Sequence, residues 1–226
     1  MHDAARLFLG LHRMDLIDEE ALPYWWPGYG TFRILPAAIL TQQARWEKVR
    51  ESLEHLEALE LMTLEALAAP ANLWKIASAI VPSGLYNQKA KKLHLLAKAV
   101  LEQFGDFPAF QEGAHREWLL RLHGIGPESA DALLCYGCRR PVMVVDRYTT
   151  RLLESLDYTF SHYDEAKGWL EEGIMASLEA LQEATGGYGP PRLFALFHGL
   201  FVEYGKRHQS RAGTDPRPLL AQMEQL

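Results

Sequence analysis

Residues 116–153, with the sequence REWLLRLHGIGPESADALLCYGCRRPVMVVDRYTTRLL, decide the fold of this 226-residue chain. An apolar helical pattern ends at Leu122, and a tight turn follows in which Gly124 and Gly126 can both take φ > 0. Pro127 then occupies the position that opens a helix, because the N–H that proline lacks would have no partner there. The segment predicts two helices joined by a glycine-rich turn.

This turn aims backbone N–H groups outward beside a helix N-terminus, and such a concavity suits a phosphate oxygen without reading any base. Gly124, Gly126 and Ser129 are therefore candidate contacts to a nucleic acid backbone. A GxG turn alone is, however, more often part of a helical hairpin that binds nothing.

The residues that follow the hairpin place a carboxylate at the start of another helix. The apolar run Val142–Val145 leads into Asp146, and a helical pattern begins at Arg147. An aspartate in this position is usually an N-cap. With the hairpin at this spacing upstream, we favour a catalytic role for Asp146, which can coexist with capping.

Helical periodicity dominates the rest of the chain. Apolar residues recur with helical spacing in residues 49–59, 93–101 and 193–204. Because only residues 142–145 look extended, we predict an all-α fold of about ten helices with short connections. The tail after His208 is predicted to be a short helix or a frayed end.

The composition is that of an ordinary globular protein, with 48% hydrophobic and 23% charged residues. No apolar run approaches the roughly 20 residues that cross a bilayer. Acidic residues come too early at the N-terminus for a signal peptide. We therefore expect a cytoplasmic protein without membrane association.

The cysteine count limits the metal chemistry. Cys135 and Cys138 are the two cysteines of the chain, too few for a four-cysteine zinc or iron–sulfur site. Both lie in the helical hairpin rather than behind a strand, so we expect buried thiols instead of a redox pair. The histidines show no paired helical spacing with carboxylates, and no metal is expected.

The net charge of −6 argues against nonspecific affinity for nucleic acid. The charges are segregated, however, with acids concentrated in residues 47–65 and 164–183. One face of an acidic protein can thus be basic, and Lys89 is a candidate DNA contact. The basic clusters are Lys89–Lys92, Arg139–Arg140, Arg147–Arg151 and Lys206–Arg211.

The hairpin followed by the sequence VVDRY resembles the helix-hairpin-helix-GPD superfamily of DNA glycosylases, the relatives of endonuclease III. Four other stretches are similar to the 3-methyladenine DNA glycosylases of the MagIII type. They are ALPYWWP at 21–27, LTQQ at 40–43, VPSGLYNQKAK at 81–91 and ESADA at 128–132.

The resemblance implies a two-lobed fold with the active site in the cleft between the lobes. Residues 32–140 would form a helical domain that ends in the hairpin, and residues 1–31 with 141–226 would form the second. The family's iron–sulfur loop is absent, because no cysteine follows Cys138. No cofactor is expected, and the expected state is a monomer on double-stranded DNA with a damaged base.

The resemblance also assigns the chemistry. A carboxylate stabilises the positive charge that develops on the sugar when an N-glycosidic bond breaks, and Asp146 would supply it. Bifunctional relatives carry a nucleophilic lysine where this chain has Glu128, and an anion cannot form a Schiff base. The sequence therefore predicts monofunctional base excision.

The resemblance also assigns a role to one lysine of this chain. Lys206 is similar in position to a family lysine near the aspartate, where it would position water or keep Asp146 ionised, although lysines near helix ends are more often dipole partners. Leu200 stands where MagIII-type relatives have a further lysine. His198 could act as a proton donor, although a lone histidine on an apolar helix is usually a core residue.

The target base must leave the duplex to be reached. The resemblance assigns Gln42 and Gln43 to the wedge that fills its gap, although solvated surface is an equal interpretation. Trp25, Trp26, Pro27 and Trp46 match positions that line the base pocket, although adjacent tryptophans also anchor small cores. A cationic base such as N3-methyladenine gains cation–π attraction on indole.

We therefore predict a DNA repair glycosylase that excises alkylated purines. An endonuclease III-like glycosylase for a mismatch, uracil or an oxidised base is an alternative. A non-catalytic helix-hairpin-helix DNA-binding protein is a further alternative from a different class.

Overall fold

The computed structural model describes residue 1, residues 3–211 and residues 213–226. The chain divides into two compact units, residues 28–139 and residues 1–27 with 140–226. We call the first the hairpin unit and the second the terminal unit. The sequence analysis placed the division at residues 31–32 and 140–141.

The hairpin unit is built from helices of very different length. Its helices are α2 (Ile34–Leu40), α3 (Trp46–Ala58), α4 (Leu64–Ala68), α5 (Leu73–Ala79), α6 (Tyr86–Phe104), α7 (Phe107–Gly113), α8 (Arg116–Leu120) and α9 (Pro127–Ala132). Single 3-10 turns precede α5 and α6, at Pro70–Asn72 and Val81–Ser83. A π-helical turn over Leu133–Gly137 continues α9.

The longest helix of this unit buries the stripe that its sequence predicts. Leu93, Leu96, Ala97 and Val100 of α6 are all buried, at the spacing of one helix face. Gly105 ends the helix at φ +85°, a conformation that suits glycine because it has no Cβ. Helices α2, α4, α5 and α7 pack against α6.

The terminal unit is formed by both ends of the chain. Its helices are α1 (Asp3–His12), α10 (Arg147–Ser155), α11 (Tyr163–Ala176), α12 (Leu178–Thr185), α13 (Pro190–His208) and α14 (Arg217–Met223). Two-residue strands β1 (Gln209–Ser210) and β2 (Gly213–Thr214) pair antiparallel. The predicted short helix in the tail is α14, which buries Leu219.

The prediction of an all-α helix-hairpin-helix fold is confirmed. The described residues contain fourteen α-helices rather than about ten, because α4, α5, α7 and α8 are five to seven residues long and lack a full periodic pattern. Three of them begin with a side-chain cap, since Thr63 accepts from the N–H of Ala66, Asp106 from that of Ala109 and His115 from that of Trp118. In the part of the chain that the structure covers, no helix has the length and apolar character to cross a bilayer.

The segment that leads to Asp146 has no regular structure but is held by α11. The N–H of Met143 donates to Glu171 Oε1 at 2.8 Å, and Lys167 Nζ donates to the same oxygen at 2.6 Å. The N–H of Val145 donates to the Tyr163 hydroxyl at 3.3 Å. These side chains replace the sheet partners that the segment lacks, and so they fix where α10 begins.

Lys89, predicted as a DNA contact, is a core residue instead. Its side chain is 1% exposed, and Nζ donates to the carbonyl oxygens of Leu40 at 2.8 Å and Ser83 at 2.7 Å. Burial, with a smaller contribution from the charge of Lys92, lowers the pKa of Lys89 to about 8. The prediction of Lys89 as a DNA contact is therefore wrong, because its buried ammonium group joins the end of α2 to the turn before α6.

Replacing this buried amine gives the first prediction. Lys89→Met leaves two carbonyl oxygens without their donor, at a cost of about 1–3 kcal/mol for each group. The unfolded chain binds more protons than the folded one between the folded pKa of about 8 and the ordinary value of 10.5. The stability of the natural protein relative to the variant therefore rises with pH across that range.

Urea denaturation at about pH 7 and about pH 9.5 measures this difference. Lys91→Met, at an exposed position of α6, is the matched control and should change the unfolding free energy by less than about 0.5 kcal/mol. A stability gap between natural protein and Lys89→Met that stays constant with pH contradicts the prediction.

Candidate functional site

Asp146 caps α10 and keeps one oxygen outside the cap. Its backbone is extended at φ −99° and ψ −174°, and Oδ1 accepts from the N–H of Thr149 at 2.8 Å and from its hydroxyl at 3.0 Å. The other oxygen, Oδ2, lies 3.8 Å from Nε2 of His198, and the carboxylate is 16% exposed. The side chain thus combines the capping role with a second oxygen that the cap does not use.

The surroundings of Asp146 favour its ionised form. Burial by itself raises the pKa of this carboxyl, but His198 and the two Thr149 donors outweigh burial and hold the pKa below the ordinary aspartate value. The stability that this adds is complete above the unfolded pKa and is lost as pH falls through the folded pKa. Asp146 is therefore a carboxylate near neutral pH.

Trp25 is fixed beside this pair in the terminal unit. Its backbone adopts φ +64°, and its indole N–H donates to Glu203 Oε1 at 3.0 Å. Its ring meets that of His198 edge-on, with centroids 5.2 Å apart and planes at 87°. A Cβ on Gly199 of α13 would overlap the Trp25 ring carbons. The indole therefore rests against the helix backbone with little freedom to move.

Lys206 lies with Trp25 and Glu203. Its Nζ donates to Glu203 Oε1 at 2.8 Å and lies 6.0 Å from the centroid of the Trp25 ring. The ion-pair neighbour of Asp146 is instead His198, in the part of the chain that the structure describes. The role of Lys206 beside Asp146 stays a prediction, and the observed contacts of this lysine are with Glu203 and the Trp25 ring.

The other predicted pocket residues differ in exposure. Trp26 is buried at 8% exposure, with its ring 6.1 Å from that of Trp25. Pro27 is half-buried at the end of the first chain segment of the terminal unit. Trp46 is half-buried and is the first residue of α3 in the hairpin unit. Trp26 thus belongs to the core next to Trp25.

The hairpin turn has one left-handed glycine rather than two. Gly124 adopts φ +82°, and a Cβ there would lie 2.7 Å from side-chain carbons of Lys92. Gly126 has φ −94° and ψ 179°, which any residue adopts, so the expectation of a positive φ there is wrong. Its Cβ position has no atom within 4 Å, and this exposed glycine caps α9. The open side of the turn is therefore at Gly126.

Gln42 has a different role from Gln43. Its amide nitrogen donates to Ser129 Oγ at 2.9 Å and to the carbonyl of Gly124 at 3.1 Å, while its oxygen accepts from Lys92 Nζ at 2.6 Å. Both ends of the amide are therefore committed to the hairpin. Gln43 is exposed at φ +53°, a geometry that lifts it out of the helical path and suits a wedge. The structure favours Gln43 over Gln42 for that predicted role.

Glu128 lies in the first turn of α9 and is exposed. A carboxylate is favourable at this end of a helix, where the peptide dipoles present partial positive charge. Ser129, next in the helix, is 8% exposed and accepts from Gln42, so its hydroxyl hydrogen can still donate.

The described residues contain no group of three or more His, Cys, Asp and Glu side chains placed to hold a metal ion. Both cysteines are buried, as predicted, in and directly after the π-helical turn.

Two residues of this site were missed by sequence reasoning. His198 was interpreted mainly as a core residue, and Glu203 was not singled out at all. Gly199 was the available signal, because a glycine inside an apolar helix usually marks a close approach. Gly199, Glu203 and Lys206 have the i, i+4, i+7 spacing of one helix face, the face on which Trp25 rests.

Comparison with known proteins identifies the class. Residues 37–173 match the model of the HhH-GPD superfamily of base excision DNA repair proteins. This match covers more than half of the chain, and the protein belongs to this family.

Individual relatives agree with the family. The structure is similar to that of the H. pylori 3-methyladenine DNA glycosylase MagIII bound to 1,N6-ethenoadenine, with a TM-score of 0.86 and 36% identity over 92% of this chain and 99% of that one. A candidate DNA repair glycosylase of Methanocaldococcus jannaschii is 30% identical over 85% of this chain and 84% of its own. Endonuclease III of Thermotoga maritima is 27% identical over 78% and 73%.

The packing of Trp25 on α13 gives the second prediction. Gly199→Ala places a methyl group inside the space of the indole ring, and such overpacking costs about 1–3 kcal/mol of folding free energy. Gly168→Ala, in α11 with no atom within 4 Å of its Cβ position, is the matched control. Alanine there should be neutral or should stabilise by up to about 1 kcal/mol.

Urea denaturation of both variants measures the difference, and the intrinsic fluorescence of the folded proteins reports a displaced tryptophan. Equal unfolding free energies for the two variants would show that Trp25 does not lie against Gly199.

Proposed function

We propose that this protein is a monofunctional DNA glycosylase that excises alkylated purines of the 3-methyladenine kind from double-stranded DNA. The observation that carries the proposal is the environment of Asp146. This residue is an ionised carboxylate at the start of α10 with Oδ2 outside the cap, and the Trp25 ring lies against its neighbour His198. The membership in a DNA repair family supports the reaction class.

The carboxylate supplies what the reaction needs. Breaking an N-glycosidic bond leaves oxocarbenium character on the sugar, and a fixed anion stabilises that charge without reorganising. Oδ2 can also orient or deprotonate the attacking water, a contribution of about 10²–10⁴-fold in general base catalysis. Since the cap holds Oδ1, the orientation of the carboxylate is set before DNA binds.

The lesion class is supported by the chemistry of Trp25. A purine methylated at N3 carries positive charge and leaves easily, so it needs little help from a general acid. Indole attracts cations over its face, and Lys206 Nζ already lies 6.0 Å from this ring. Glu203 accepts from the indole N–H, and its negative charge near the ring edge adds to the attraction for a cationic base. The MagIII relative carries the name of a 3-methyladenine glycosylase.

The hairpin unit supplies the DNA-binding elements of this proposal. The N–H groups around Gly126 and the Ser129 hydroxyl would hold a phosphate, since the turn is open there. Exposed Gln43 would enter the duplex where the base has left. Gln42 supports both elements, because it joins the wedge loop to the turn. Binding as a monomer is part of this proposal.

The monofunctional part of the proposal depends on Glu128. Strand cleavage through a Schiff base needs an amine at the sugar, and an anion at this position of the hairpin cannot supply one. Lys89, the lysine that the sequence placed among DNA contacts, is buried in the same unit and does not replace it.

Base release from methylated DNA gives the third prediction. A duplex with N3-methyladenine, incubated with the natural protein, should release the free methylated base, which chromatography identifies. Asp146→Asn should lower the release rate by about 10²–10⁴-fold and leave the affinity for the duplex within a few-fold, since the hairpin residues are untouched.

Asp157→Asn is the matched control, because Asp157 is exposed at φ +65°, where asparagine is well tolerated. Unchanged release by Asp146→Asn contradicts the catalytic assignment. Release of uracil or oxidised bases instead of methylated purines would contradict the proposed lesion class but would agree with glycosylase activity.

The fourth prediction concerns the lyase step. Incubation with abasic duplex DNA and borohydride should leave no covalent protein–DNA adduct, because reduction traps only a Schiff base. A bifunctional endonuclease III treated in parallel supplies the positive control on the same gel. A trapped adduct of this protein would show that another amine reaches the sugar.

A further inference from the structure

A buried histidine lies between the carboxylate of Asp146 and the ring of Trp25. His198, near the middle of α13, is 5% exposed. Its Nε2 lies 3.8 Å from Asp146 Oδ2, and its ring meets Trp25 edge-on at 5.2 Å. Neither contact arises from neighbours in sequence, so the position of this imidazole is set by the packing of α13 alone.

The geometry separates the two oxygens of Asp146. Oδ1 receives both Thr149 donors, while Oδ2 faces His198 at a distance longer than a hydrogen bond but within ion-pair range. The contact is therefore electrostatic, and it leaves room on Oδ2 for a further hydrogen bond. A protonated imidazole at this range favours a carboxylate, and more strongly in a buried site than in water.

We infer that His198 is a positioning residue that keeps Oδ2 of Asp146 ionised for reaction and packs at right angles against the Trp25 ring. This inference rests on the proposed glycosylase function. The cation that the sequence suggested for the task, Lys206, is paired with Glu203 instead. Among the described residues, His198 is the one basic side chain within ion-pair distance of the carboxylate.

Other charged and titratable groups on the surrounding elements are engaged with different partners. On α11, Tyr163 accepts from the N–H of Val145, and Glu171 accepts from that of Met143 and from Lys167. On α10, the Arg147 guanidinium lies 5.9 Å from the Tyr148 ring. On α13, Glu203 binds the Trp25 indole. His198→Gln leaves all of these groups in place, so a difference between the variant and the natural protein reports the effect of His198 on Asp146.

The test is the pH dependence of base release. His198→Gln removes the imidazole and keeps a polar side chain, so burial then raises the pKa of Asp146 with less opposition. The acid limb of kcat against pH should move to higher pH by about one unit. His94→Gln, at a half-buried histidine of α6 that contacts the Leu67 carbonyl, is the matched control and should leave the limb in place.

A purely structural role would give a different result. Loss of packing lowers the melting temperature and the amplitude of the profile but does not move its midpoint. An acid limb at the same pH in His198→Gln and the natural protein overturns the inference.

A second measurement does not depend on turnover. The ¹³C shift of the Asp146 carboxyl, assigned by comparison with Asp146→Asn, should titrate at higher pH in His198→Gln than in the natural protein. If methylated DNA releases no base, the proposed function fails while this titration still decides the role of His198. An unchanged carboxyl titration rejects that role.

Discussion

The close contact of α13 with Trp25 and Tyr148 is the constraint on which the candidate site depends. Side chains at Gly199 and Gly205 would overlap the rings of Trp25 and Tyr148 respectively. The two glycines let the indole and α10 approach the helix backbone, and this approach brings His198 to Asp146. Most of α13 is buried, and it has little room to shift because protein interiors are densely packed.

The electrostatics of the site follow from that packing. Burial opposes the charge of Asp146, and the folded protein compensates with donors from Thr149 on one oxygen and His198 near the other. Lys206 and Glu203 form a separate pair around the indole. The site thus places one basic side chain near the carboxylate and another near the aromatic ring, and the carboxylate is the group that can stabilise a developing positive charge.

The hairpin unit shows how buried polar groups arrange an exposed turn. Lys89 joins α2 to the turn before α6, and Gln42 joins the loop after α2 to Gly124 and Ser129. Unpaired, these groups would be costly in the interior, and paired they define one loop geometry. Gln43 and Gly126 are left exposed by the same arrangement.

The sequence by itself determined the all-α hairpin fold, the start of α9 at Pro127 and the capping role of Asp146, because turns, caps and helical stripes are specified by neighbouring residues. Through the family resemblance it also predicted Trp25 as a residue of the base pocket. Only the tertiary structure decided that Lys89 is buried, that Gln42 is committed to the hairpin, and that His198 rather than Lys206 lies at the carboxylate. Those outcomes depend on which distant segments meet, and Gly199 is 174 positions after the Trp25 that it accommodates.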